Sequence, residues 1–151
     1  MIDVKILVCT DGSEHSRAAL EVAAQIAEGS KIDEVAILHV YQPLIANIPT
    51  GGSREEVQSY KKIEEQHRKE KEQYLLDGLE FFEKENIKAR PIFKKGHPAE
   101  TIIKVASSGG FDLIVMGSRG IGGLKKIFLG SVSSSVVQEA KDCSVVTVIK
   151  C

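Results

Sequence analysis

Apolar runs and helical spacings alternate along this chain. Val4–Thr10 is an apolar run, as expected for a central parallel strand covered on both faces. Asp11-Gly12-Ser13 is a turn, and Ser13 is placed to cap a helix over Ser16–Glu28, whose Ala19, Val22, Ala23 and Ile26 share one face. Gly29 ends that helix. A second strand, Val35–Val40, lies within Asp33–Tyr41. Glu55–Glu85 follows as a charged helix with Tyr60, His67, Tyr74, Leu75, Leu79 and Phe82 at helical intervals. Its weakly apolar first half is expected to project from the domain, with a solvated face.

The alternation continues to the C-terminus. Ile87–Lys95 is a third strand, which Pro91 assigns to a sheet edge. Gly96-His97-Pro98-Ala99-Glu100 opens the next helix, with Pro98 in its first turn and Ile102, Ile103, Val105 and Ala106 as its buried stripe. Asp112–Met116 is the fourth strand, Ser131–Lys141 the last helix and Ser144–Lys150 the fifth strand. Strands alternating with helices predict an α/β fold, a single open parallel sheet with helices on both faces. The loop Gln42–Ser53, with Pro43, Pro49, Gly51 and Gly52, is long for a compact domain and suggests a mobile or functional segment.

Composition narrows the classes. A chain of 151 residues suits one domain, spanning 1–151, and buries roughly 70% of its unfolded surface. Hydrophobic residues at 42% and charged residues at 27% are those of an ordinary globule. The net charge of −1 offers no basic field for nucleic acid. No run approaches the ~20 apolar residues of a membrane span, and the first residues lack a signal-peptide pattern, so a cytoplasmic protein is expected. Cys9, Cys143 and Cys151 are odd in number and widely spaced, which argues against a disulfide framework. His15, His39, His67 and His97 have no metal-ligand spacing.

The most specific chemistry lies after the fourth strand. Leu113-Ile114-Val115-Met116 leads into Gly117-Ser118-Arg119-Gly120, and Gly130-Ser131 follows at a helix start after nine intervening residues. Glycines let backbone approach an anion closely. The helix start contributes the unpaired N–H groups of Ser131, Val132 and Ser133 and a positive dipole end. Strand, glycine loop and serine-led helix together make a candidate phosphate cradle. Ser131 would bind a phosphate oxygen and Ser133 would add a second hydroxyl.

Gly-x2-Gly-x9-Gly-Ser resembles the nucleotide motif of the ATP-binding branch of the universal stress protein family. The resemblance runs from Lys5-Ile6-Leu7-Val8 with Asp11 to Val145-Val146-Thr147-Val148-Ile149. It implies a Rossmann-like, adenine nucleotide alpha hydrolase-like sheet of order 3-2-1-4-5. Ligands in such sheets bind outside the carboxyl ends of strands at the switch point, here between strands 1 and 4. The family match implies that Gly117, Gly120, Gly130 and Ser131 line phosphates and ribose, and that Asp11 accepts ribose hydroxyls. An Asx-turn role explains Asp11 as well. Cys9 and Thr10 would lie near the nucleoside through their backbone, and Val40 matches the position whose main chain contacts adenine. Met116 packs beside the nucleoside or belongs to the core. One of Arg119, Lys125 and Lys126 would reach a phosphate. His97 stands where many members carry Asp, a better helix cap, and Ser144 where a proline is common.

The resemblance implies a regulatory adenine-nucleotide-binding protein, with ATP (or AMP or ADP) as ligand and Mg²⁺ or Mn²⁺ as an optional bridge between phosphates. The Gln42–Ser53 and Gly120–Gly130 loops would order on ATP, and an unidentified protein partner would read the result. A homodimer through Val145–Ile149 is expected, because that strand falls at a sheet edge without a blocking charge or proline. Two further readings stay open: a slow, partner-stimulated ATPase, and a nucleotide-free dimeric interaction module. The chain has no Gly-x4-Gly-Lys-Ser/Thr loop, and no His or Glu has a sequence-evident reason to activate water. A receiver-type domain is disfavoured because the third strand ends in Phe93-Lys94-Lys95-Gly96 rather than a phosphorylatable Asp. Gly117→Val and Gly130→Val are both expected to abolish binding and leave the fold intact.

Overall fold

A computed structural model describes residues 4–29, 31–44, 51–118 and 130–149. Nine elements alternate: β1 (Val4–Cys9), α1 (Glu14–Gly29), β2 (Ile32–Tyr41), α2 (Arg54–Lys84), β3 (Ala89–Lys95), α3 (Pro98–Ser108), β4 (Leu113–Gly117), α4 (Ser131–Glu139) and β5 (Ser144–Val148). All five strands pair in parallel in one sheet, in the order β3-β2-β1-β4-β5.

β1 is the centre, with Ile6, Leu7 and Val8 wholly buried. Val8 pairs with Ile37 on one side and with Val115 on the other. Successive side chains on a strand point to opposite faces, so one apolar run serves two cores. Ile6, Val8, Ile37 and Val115 pack with Ala19, Leu20 and Ala23 of α1 and Leu75 and Phe82 of α2. Leu7, Ala36, Leu38 and Ile114 pack with Ile102 and Ala106 of α3 and Val136 of α4.

α2 is anchored by its C-terminal half, where Leu75, Gly78 and Phe82 are buried. Residues 54–63 are exposed except for half-buried Val57, as the weak apolar pattern there predicts. Pro91 sits in β3, an edge strand, where its missing N–H interrupts no ladder on the open side.

Several boundaries shift by one to three residues for local reasons. α1 starts at Glu14 rather than Ser16, because the Ser13 hydroxyl accepts from the Ser16 amide at 3.1 Å and the Ser13 carbonyl from the Arg17 amide at 3.0 Å. β2 starts earlier, at Ile32, which pairs with Val4 of β1. β3 starts at Ala89 rather than Ile87, since Asn86 takes φ 59° and the Ile87 amide turns back to the Phe82 carbonyl at 2.9 Å. α4 stops at Glu139 because Ala140 is already extended, at φ −64° and ψ 138°. His97 caps α3 without a side-chain hydrogen bond, the consequence expected where Asp is replaced. Ser144 begins β5 and donates its amide to Asp112 at 2.9 Å, a bond that proline lacks.

Candidate functional site

β1 and β4 are neighbours in the sheet, and β2 and β5 flank them on opposite sides. The chain leaves β1 and β4 at their carboxyl ends towards α1 and α4, which pack on opposite faces of the sheet, so this is the switch point at which such sheets bind ligands.

The β1 side is a tight turn. Thr10 is buried, and its amide extends the ladder to the Leu38 carbonyl at 2.9 Å. Asp11 Oδ1 accepts the Ser13 amide at 2.9 Å, which is the Asx turn allowed for in the sequence. That bond aims the half-buried carboxylate, and a turn role does not exclude a ligand on its other oxygen. Gly12 lies at φ +80°, a conformation L residues resist, and a Cβ there would meet the Tyr74 ring at 2.5 Å.

The β4 side is pinned at its base. Ser118 donates its amide to Val148 at 2.9 Å, and its carbonyl accepts both the Gly130 amide at 2.6 Å and the Ser133 hydroxyl at 2.7 Å. These bonds bring Ser118 and Gly130 together across the loop between them. Arg119, Gly120, Lys125 and Lys126 lie outside the described residues, as do residues 45–50 of the other loop and Cys151.

Gly130 is the N-cap of α4 and supplies no side-chain cap, and no acidic residue occupies the first turn. The first amides of a helix have no intrahelical acceptor, so those of Ser131, Val132 and Ser133 face outwards at the positive end of α4. Ser118 is 2% exposed, and its buried hydroxyl has no hydrogen-bond partner among the described residues. A buried hydroxyl without a partner is costly unless something else bonds it.

Two expectations are corrected here. The Ser133 hydroxyl is buried and donates to Ser118, so it ties the loop base and is not offered to a ligand. Gly117 is also a packing residue. A Cβ there would stand 2.6 Å from the His15 carbonyl carbon of α1, so Gly117→Val does not leave the fold intact. Of the nucleoside positions, Met116 lies in the α3/α4 core at 5% exposure, and Cys9 and Val40 pack against that same cluster. Burial, with the Asp11 carboxylate adding to it, pushes the Cys9 thiol up to about 12, so it stays protonated at neutral pH.

His39 and Tyr74 escaped the sequence reading as site residues. His39 Nδ1 lies 2.7 Å from the Thr10 carbonyl, immediately before Asp11, and the Tyr74 ring meets it edge-on. The available signal was a histidine in an otherwise apolar strand. Among the described residues no group of three or more His, Cys, Asp or Glu side chains is arranged to hold a metal, and no helix is long and apolar enough to cross a membrane.

The fold defines a doubly wound α/β protein whose strand order reverses between β1 and β4. The model of the universal stress protein family matches residues 4–148, and the chain belongs to that family. It is 36% identical over 136 residues to the universal stress protein YxiE of Bacillus subtilis, covering 89% of this chain and 91% of that protein. The solved structure of the Methanocaldococcus jannaschii protein MJ0577 superposes with a TM-score of 0.75 at 29% identity, over 100% of this chain and 99% of that one. An Archaeoglobus fulgidus universal stress protein, solved in complex with dAMP, shares the fold with a TM-score of 0.66 at 20% identity, over 98% and 99% of the two chains.

Proposed function

We propose that this protein binds an adenine nucleotide, ATP in the first place, in the crevice between the β1 turn and the β4–α4 loop, and acts in the cytoplasm as a regulatory switch in the stress response. The observation that carries the reading is the uncapped start of α4 beside a buried, unpartnered Ser118 hydroxyl. An anion answers both at once, because backbone amides and a hydroxyl are donors and the dipole favours negative charge. The first amides of α4 and the Ser131 hydroxyl would hold phosphate oxygens, and Asp11 would accept the ribose hydroxyls. A divalent ion such as Mg²⁺ or Mn²⁺ would bridge phosphates rather than sit on a protein carboxylate cluster. The dAMP complex of the Archaeoglobus fulgidus protein agrees in ligand class. Binding, rather than efficient turnover, is the activity supported.

Calorimetric titration of ATP with Mg²⁺ into nucleotide-stripped protein tests this. Wild type is expected to bind, and Gly130→Val to lose affinity by about 100-fold or more, the equivalent of ~2.7 kcal/mol. Gly130 takes φ −68° and ψ 169°, which valine adopts readily, so the variant is expected to fold normally. No binding by wild type overturns the reading.

A second element concerns assembly. β5 is an edge strand whose Val145–Val148 are only half-buried, and Ile149 is 48% exposed. An apolar β-branched edge pairs readily with a second chain. The protein is proposed to form a twofold dimer through Val145–Ile149, with an unidentified protein partner reading the nucleotide state. Light scattering that returns a monomer at micromolar concentration would refute the dimer.

A further inference from the structure

We infer that His39 and Tyr74 are positioning residues for Asp11, so that β2 and α2 set the aim of the carboxylate proposed to hold the ribose. His39 is 7% exposed and stands on the face of β2 that carries Val35 and Ile37, among apolar neighbours. Its Nδ1 lies 2.7 Å from the Thr10 carbonyl, 29 residues away in sequence. A carbonyl only accepts, so Nδ1 carries the hydrogen and the tautomer is fixed.

The imidazole cannot pivot away from this bond. Tyr74 packs edge-on at 5.5 Å and 76°, and Phe93 lies across it at 5.9 Å and 31°. Three Tyr74 ring atoms also occupy the space that a Cβ on Gly12 would take, at 2.5 to 2.8 Å. The turn is therefore gripped on both sides of Asp11, at the Thr10 carbonyl before it and at Gly12 after it. The Asx bond from Ser13 then leaves the carboxylate little freedom. A histidine that merely satisfied its own polarity in the core would need an acceptor of any kind. This one has the peptide oxygen that precedes the proposed ribose ligand, and the same aromatic ring that packs against it also covers Gly12.

The ligand arm of the test rests on the adenine-nucleotide reading, and the other arm does not. Asparagine places Nδ2 where His39 has Nδ1, so His39→Asn keeps the donor, while His39→Leu removes it. In ligand-free protein, the Ser13 amide is expected to exchange with solvent about 10-fold faster in His39→Leu, and His39→Asn to restore most of its protection. With ligand, wild type is expected to prefer ATP to 2′,3′-dideoxyATP, because only ATP presents hydroxyls to Asp11. His39→Leu is expected to bind ATP about 10-fold more weakly and to lose most of that preference, with His39→Asn returning to within about 3-fold of wild type. A general loss of packing would weaken both nucleotides alike and would not be rescued by asparagine. Unchanged Ser13 exchange and an unchanged ATP to dideoxyATP ratio in His39→Leu would overturn the inference. If wild type binds no nucleotide, the adenine reading fails on its own and the exchange arm still decides whether His39 holds the turn.

Discussion

The turn after β1 is held by side chains from three segments of the chain, whereas the loop after β4 is held at its base by a single backbone carbonyl. In the first, Asp11 bonds the Ser13 amide, His39 bonds the Thr10 carbonyl and the Tyr74 ring covers Gly12. In the second, one carbonyl, that of Ser118, gathers the Gly130 amide and the Ser133 hydroxyl. The first arrangement fixes the direction of a single carboxylate. The second leaves the start of α4 uncapped and the Ser118 hydroxyl unpartnered, donors that a bound anion would use. In the proposed function, the fixed acceptor would take ribose hydroxyls and the open donors would take phosphate oxygens.

The two glycines of the β4–α4 connection separate these roles most strongly. Gly117 faces the His15 backbone, which has no flexible end to move aside, so Gly117→Val is expected to destabilise by about 3 kcal/mol. That corresponds to roughly 6–12 °C in melting temperature for a domain of this size. Gly130→Val is expected to stay within about 1 kcal/mol of wild type while losing nucleotide, because φ −68° and ψ 169° suit valine and only the N-cap preference for glycine is lost. Thermal unfolding of both variants, without ligand, checks the contrast. Equal melting temperatures would mean that Gly117 serves the ligand and not the packing against α1.

On the β1 side, Gly12→Ala is expected to cost about 2 kcal/mol, from the positive φ together with the Tyr74 clash. In a Tyr74→Ala background the ring is gone and only the backbone cost remains, so the same substitution is expected to cost about 1 kcal/mol. Denaturant unfolding of the four proteins gives the coupling. A penalty that is the same in both backgrounds would show that Tyr74 does not cover this turn.

Ser133→Ala discriminates between tying the loop and touching the ligand. As a tie, it is expected to lose about 1 kcal/mol of stability, at the low end for a buried bond because Ser118 keeps the Gly130 amide. Affinity for ATP would fall only a few-fold, through a looser loop. A variant as stable as wild type but unable to bind ATP would return Ser133 to the ligand.

What the sequence reveals and conceals follows from the range of the forces. The alternation of strands and helices and the edge position of β3 are legible, because apolar runs, turn residues and Pro91 are local signals. The strand order, by contrast, is what the family resemblance implies, and the sheet has it. The bond of the Ser133 hydroxyl is hidden in the sequence, because a serine at a helix start looks the same whether its hydroxyl points at a ligand or at a carbonyl 15 residues back. Gly117 looked like a ligand glycine because the contact that requires it is with His15, 102 positions earlier. His39 and Tyr74 are invisible for the same reason: a histidine in a strand and a tyrosine on a helix acquire their meaning only when α2 packs over β2 and β3 and brings Tyr74 to the turn after β1. Element ends moved wherever a single capping bond, such as that of Ser13, outweighed the apolar pattern.

The smallest expected effect is a pH dependence confined to the β1 side. Burial, foremost, holds His39 below its ordinary value of 6.5, with Lys71 and His67 in the same direction and the Thr10 carbonyl and Asp11 opposing. The folded protein therefore takes up this proton less readily than the unfolded chain does. Stability from this group is complete above pH 6.5 and declines as pH falls from there towards the lowered folded value, because the unfolded state binds the extra proton. Glu34 also sits below its ordinary 4.5: burial works against this, but Arg90 and Lys5 bond and attract its carboxylate strongly enough to prevail, so its contribution is lost only at lower pH. The two windows open at different values, which makes His39 separable. None of Ser118, Gly130 and Ser133, which close the other loop, carries a titratable group. Melting temperature followed from about pH 7 to about pH 5 is expected to fall less steeply in His39→Asn than in wild type, because the substituted chain lacks this proton in both states. Parallel curves would mean that His39 is not buried as the turn requires, and would weaken the link between α2 and Asp11 along with it.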